Sequence, residues 1–242
     1  MNIKCIGTGT MGCDNRTNNS ILVNDSILFD IGTGVLNQLR KYNIKLNKIE
    51  YIIISHYHAD HFLDIVNFLI RRNIRKETEN KLTIIGPKDV KEKIVELMYF
   101  THGDGSSDKY NNIEEKYNIE FAKLNEEEKE FNDFSLKSIS LKHGNTFPCN
   151  GYVLKTKDYA IGYTGDTTIC SGLAELINLS DHIFIDVAFK ETTETHLGYL
   201  ELEQIAKENL NKKFYAVHRG DYVIKNLTKN IIVPMDGDEY NI

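Results

Sequence analysis

Ser55-His56-Tyr57-His58-Ala59-Asp60-His61 follows the apolar run Tyr51-Ile52-Ile53-Ile54 and precedes a stretch that is apolar at positions 62, 63, 65, 66, 69 and 70. The first flank reads as a strand and the second as an amphipathic helix over residues 62–72. A polar cluster between them sits at a strand end, in a tight turn, where side chains from both sides can face one point. Three of the chain's eight histidines fall in this stretch. Imidazole and carboxylate suit Zn2+, Mn2+ or Fe2+, whereas a solvated turn gives no reason to gather histidines. His56, His58, Asp60 and His61 are therefore the first candidate ligands.

The surrounding 242 residues are 41% hydrophobic and 26% charged, which is ordinary for a soluble globular protein. Neither a repeat nor a low-complexity linker divides them, so residues 1–242 are expected to form a single domain. No apolar run approaches the roughly 18 residues of a membrane span. The start, Met1-Asn2-Ile3-Lys4-Cys5-Ile6-Gly7, reads as a strand and not as a leader peptide. Cys5, Cys13, Cys149 and Cys170 form no C-x-x-C pair. They are expected to be reduced thiols of a cytoplasmic protein, and their spacing excludes a zinc ribbon. A net charge of −6 argues against an extended nucleic-acid surface, which usually carries a basic excess.

Further strands are expected at residues 2–6, 21–24, 27–31, 51–54, 120–123, 134–141, 151–156, 159–164, 182–187 and 214–217. Helices are expected at 88–100, 172–179 and 199–210 as well as 62–72. Residues 101–112, rich in Gly, Ser and Asp, read as a loop. Strand-rich halves each followed by helices suggest an α/β fold of two sheets packed face to face with helices outside, an αββα sandwich. Periodicity alone leaves an ordinary doubly wound sheet open. Gly7-Thr8-Gly9-Thr10-Met11-Gly12 has the G-x-G-x-x-G pattern, but the turn-forming residues 13–20 that follow give no apolar helical face. The dinucleotide reading needs such a helix, so the loop is expected to line the cleft, with its backbone N–H groups or Arg16 near a phosphate.

The H-x-H-x-D-H pattern after an apolar strand resembles the signature of the metallo-β-lactamase superfamily. The resemblance continues at His143, followed by Gly144, at Asp166 in Gly162-Tyr163-Thr164-Gly165-Asp166-Thr167, and at His218 after Phe214-Tyr215-Ala216-Val217. It implies two divalent ions. His56, His58 and His143 would hold one, Asp60, His61 and His218 the other, and Asp166 would bridge them. Zinc is the first expectation, with manganese and iron(II) as alternatives.

Three features resemble the RNase Z branch. These are Leu28-Phe29-Asp30-Ile31-Gly32-Thr33-Gly34, the Gly7-Thr8-Gly9 loop with Arg16 and Ser20, and His196, placed 22 positions before His218. The resemblance makes His196 a catalytic histidine assisted by Asp186, which stands where that branch usually has glutamate. Asp60 would orient the nucleophile and take its proton, and Asp30 would support a ligating histidine. A lactonase or thioesterase of the superfamily would share the metals without needing the His196 spacing. The tRNA-processing members carry a long arm between the third and bridging ligands, but here only 22 residues separate His143 from Asp166.

A small phosphodiester, foremost a cyclic nucleotide, is therefore the expected substrate. In lacking the arm and in length the chain resembles the anti-Pycsar type of phosphodiesterase. An RNase Z-type endonuclease acting on RNA 3′ ends is the alternative. The 101–112 loop, with His102 and Tyr110, is expected to act as a lid, reaching a partner's site in a homodimer.

Overall fold

The computed structural model describes residues 1–102, 112–222, 224 and 228–242. The first half builds β1 (Asn2–Gly7), β2 (Ser20–Val23), β3 (Ile27–Phe29), α1 (Val35–Lys41), β4 (Tyr51–Ile53), α2 (Ala59–Phe62) and α3 (Asp64–Ile74). It continues with β5 (Leu82–Gly86), α4 (Val90–His102), α5 (Ile113–Tyr117) and β6 (Ile119–Lys123). The second half builds β7 (Glu128–Glu130), β8 (Ser135–Ser140), β9 (Asn150–Lys155), β10 (Ala160–Tyr163), α6 (Ser171–Leu179) and β11 (His182–Asp186). After these come α7 (Tyr199–Glu208), β12 (Lys213–Val217), β13 (Ile231–Ile232) and β14 (Glu239–Asn241).

Two seven-stranded sheets result, in the orders β14-β1-β2-β3-β4-β5-β6 and β13-β12-β11-β10-β9-β8-β7. Both are mixed. Strands joined by short turns, such as β2 and β3, pair antiparallel. Strands separated by helices, such as β4 and β5 or β11 and β12, pair parallel, because a parallel partner requires a crossover. Strand alternation then decides the layers. On β9, Tyr152 and Leu154 enter the core between the sheets while Val153 faces the helices. On β12, Tyr215 and Val217 face inward and Phe214 and Ala216 outward. Sheet one does the same, with Ile21 and Val23 inward and Leu22 against the helices. The fold is an αββα sandwich, as expected.

Some elements differ from expectation. The helix expected over residues 62–72 begins earlier and is broken at Leu63 into α2 and α3. The docked β3–α1 loop explains the break: the Ile31 N–H donates to the His61 carbonyl at 2.8 Å. The Asp64 carboxylate accepts from the N–H groups of Gly34 and Leu36. Thr101 and His102, expected in a loop, form the last turn of α4, where His102 is exposed. The lid expected further along, with Tyr110, lies outside the described residues. No helix follows the glycine-rich segment before β2, as the turn chemistry of residues 13–20 requires.

Candidate metal centre

Every candidate ligand leaves the carboxyl end of a strand. The turn after β4 carries His56, His58, Asp60 and His61, while His143 and Asp166 follow β8 and β10. Asp186 is the last residue of β11, and His218 comes directly after β12 with φ at +50°. The turns from both sheets meet at one edge of the sandwich, and there the seven proposed ligands converge. His56, His58, His143 and Asp166 form one group, and Asp60, His61, Asp166 and His218 another, each with its ligand atoms within 4.8 Å of one another. Asp166 belongs to both. Its Oδ2 lies 3.7 Å from His56 Nε2 and 3.6 Å from His143 Nε2. Its Oδ1 lies 3.0 Å from His61 Nε2 and 3.2 Å from His218 Nδ1.

An outer ring of hydrogen bonds orients these side chains. Asp30 is fully buried, accepts from the Ser55 N–H and hydroxyl and from the Tyr163 hydroxyl, and lies 2.6 Å from His61 Nδ1. The Ser55 hydroxyl also sits 3.0 Å from His56 Nδ1, and His143 Nδ1 donates to the Thr195 carbonyl at 2.7 Å. Asp186 Oδ2 lies 2.8 Å from His196 Nδ1, and its Oδ1 lies 3.1 Å from His218 Nδ1. Its carboxylate is held in turn by the N–H groups of Thr167 and Ala188. Asp186 therefore reaches His196 despite having one methylene fewer than glutamate. Sequence reasoning gave no role to Ser55, Tyr163 or the Thr195 carbonyl. Ser55 adjoins the motif and was within reach of inspection; the other two come from distant strands and loops.

The donor set fits divalent cations on two counts. His56 Nε2, His61 Nε2 and Asp166 Oδ1 are buried with no hydrogen-bond partner, although buried polar atoms normally have one. Asp30, Asp60, Asp166 and Asp186 are all buried here, and buried charge needs compensation. The described residues lining the pocket include no lysine or arginine, so compensation falls to histidine protons or to metal ions. Without a metal the histidines respond accordingly. Burial opposes a proton on His218, but Asp166, Asp186 and Asp60 outweigh it and raise its pKa to about 10. His61, likewise desolvated, is held well above its usual value by Asp166 and Asp30. His56 goes the other way, driven well down by burial and the adjacent His61. Burial also works against the Asp60 carboxylate, yet His218 and His61 bring it down to about 2.

The pocket over this centre has a volume of about 630 Å3 and is lined by Thr10, Met11 and Gly12 as well as by His58, His196 and Phe189. The glycine-rich loop thus lines the cleft as expected. Arg16 does not. Its guanidinium donates to the carbonyls of Arg219 and Gly220 and pairs with Asp221, fastening the turn after His218. Two backbone carbonyls and a carboxylate after His218 have claimed the cation expected near a phosphate. A cavity of similar size, about 640 Å3, lies at the other end of β9 and β10 around Phe131 and Tyr159 and has no histidine in its lining.

The family model described as anti-Pycsar protein Apyc1 matches residues 1–232. The chain belongs to that family. Curated relatives of this Apyc1-family chain include ribonuclease Z of Staphylococcus epidermidis, 31% identical over 126 residues, which are 52% of this chain and 37% of that protein. The Apyc1-family chain thus matches little more than a third of that relative's length. Its fold resembles the metallo-β-lactamase fold protein YhfI from Bacillus subtilis, with a TM-score of 0.78 at 17% identity over 99% of this chain and 98% of that one. It also resembles the short form of human tRNase Z, with a TM-score of 0.74 at 20% identity over 100% and 99% of the two chains. This Apyc1-family chain has the metallo-β-lactamase fold.

Proposed function

We propose that the chain is a two-metal phosphodiesterase that opens a small cyclic nucleotide to a linear monophosphate. The observation that carries this reading is Asp166, with one carboxylate oxygen facing each histidine group and the His196–Asp186 pair beside them. His56, His58 and His143 would hold one ion, Asp60, His61 and His218 the other, and Asp166 both. Zinc suits these donors, as do manganese and iron(II). When bound, such a pair supplies a water of lowered pKa and offsets negative charge on the phosphoryl oxygens.

The protein's own groups do the rest. Asp60, 3.3 Å from His218 Nε2, orients the attacking water and accepts its proton. The water oxygen bonds to phosphorus as the phosphorus–ribose oxygen bond breaks. His196 gives that leaving oxygen a proton. Its Nδ1 is engaged by Asp186, so Nε2 is the nitrogen left to donate.

Two features favour a small substrate over folded RNA. The pocket volume lies within the range of small-molecule sites. The lining also has no lysine or arginine among the described residues, whereas polynucleotide binding draws on many phosphate contacts. The family match points the same way. The ribonuclease Z relatives favour the second reading, cleavage at RNA 3′ ends. The metal-loaded protein, given 3′,5′-cyclic mononucleotides and a pre-tRNA under matched salt, is expected to open the former with kcat/KM in the ordinary range of about 10⁴–10⁸ M⁻¹s⁻¹. Site-specific removal of a tRNA 3′ trailer with inert cyclic nucleotides would overturn the substrate and keep the two-metal phosphodiesterase. A cytoplasmic homodimer is the form proposed; light scattering tests the dimer.

A further inference from the structure

We propose that Phe189, in a pocket that Met11 also lines, seats the nucleobase of the substrate. This rests on the cyclic-nucleotide reading above.

The argument starts from the leaving group. In a cyclic nucleotide the oxygen that departs from phosphorus is a ribose oxygen, so the nucleoside must lie on the side of the group that protonates it. That group is His196. The Phe189 ring packs edge-on against the His196 ring, with centroids 5.5 Å apart and planes at 75°. Phe189 lines the pocket and remains 49% exposed, and Met11, also in the lining, is 62% exposed. Scattered apolar side chains on a surface are ordinary. Phe189 differs in facing the pocket and touching the ring of the proton donor.

The backbone that carries the ring is also held in place. The Phe189 carbonyl accepts from the Tyr199 N–H at 3.0 Å, and Phe189 pairs with Gly198 across a β-bridge. The loop between Asp186 and Gly198 is cross-tied by the Thr193 N–H to the His196 carbonyl and by the Gly198 N–H to the Thr192 hydroxyl. One braced loop therefore presents both the proton donor and an aromatic face. Base–aromatic stacking tolerates any base, because every base has a π-face. Base selectivity at this wall should accordingly be weak, with base-bearing substrates favoured over baseless ones.

The test compares a 3′,5′-cyclic purine nucleotide with baseless ribose 3′,5′-cyclic phosphate, on the wild type, Phe189→Leu and Phe189→Tyr. Phe189→Leu is expected to raise KM for the base-bearing ring about tenfold more than for the baseless one, with Phe189→Tyr restoring the wild-type ratio. A second readout needs no turnover. Proton NMR of the cyclic phosphorothioate analogue with metal-free protein is expected to show upfield shifts of the base protons that Phe189→Leu removes. Equal effects on the two rings, with no base-proton shift, would overturn the seat alone. A wild type that opens neither ring would overturn the cyclic-nucleotide reading and the seat with it.

Discussion

Asp60 and His196 differ in what their loss should remove. Asp60 belongs to a ligand group and lies 3.7 Å from His61 Nε2, so Asp60→Ala withdraws both a ligand atom and the acceptor of the nucleophile's proton. Turnover should fall by at least about 10²-fold, the lower end of a positioned acid–base contribution, in a protein whose circular dichroism is unchanged. Retention of more than about a tenth of the rate would defeat the assignment. His196→Ala should lose rate on the same scale while keeping both metal equivalents. His196 also falls with Asp166, Asp186 and His218 within reach of a common ion, so metal stoichiometry by plasma mass spectrometry is the deciding measurement. Loss of one equivalent would make His196 a ligand and not the proton donor.

At the scale of elements, the metal-bearing turn is shaped by the loop that docks on it. A Cβ on Gly32, between β3 and α1, would lie 1.6 Å from the Asp60 carbonyl oxygen. Asp60 cannot yield without moving His58 and His61, its neighbours in the motif. Gly32→Ala is therefore expected to cost about 1–3 kcal/mol through overpacking and to lower Tm by about 2–4 °C per kcal/mol in a chain of this size. It should also weaken metal binding, measured by competition with a chromophoric chelator. Unchanged Tm and metal affinity together would show that the turn has slack the packing does not suggest. The second sheet contributes by other means: Tyr163, on β10, reaches Asp30 through its hydroxyl at 2.8 Å and couples the two sheets beneath the site.

Across the whole molecule, four buried carboxylates concentrate negative charge where strands of both sheets end. Metal ions that bind only the folded state add to its stability by mass action. Removing them with a chelator should abolish turnover and lower Tm, and zinc or manganese should restore both. A chelated protein that keeps its Tm while losing activity would mean that protonated histidines balance the carboxylates equally well. The described residues contain no helix long and apolar enough to cross a membrane. The four cysteines are free, with Cys5 and Cys149 buried.

The residues of the motif and the strand before it were legible in sequence because ligand chemistry depends on residue type, and strand periodicity is local. His56, His58, Asp60 and His61 could be named that way, whereas His143, Asp166, His218 and the His196–Asp186 pair were named only through the family resemblance. Local pattern could not show that α1 exists, since seven residues hold too few turns for periodicity to register. It could not bring β14 back to pair with β1 across 239 positions of chain, where Asn2 meets Asn241. Nor could it see that Arg16 would be claimed by carbonyls after His218, or that Phe189 would lie against His196. Those outcomes depend on which loops meet when the two sheets close. Residue type pointed to a metal site here and the family resemblance to two ions; the contacts made on folding decided what surrounds it.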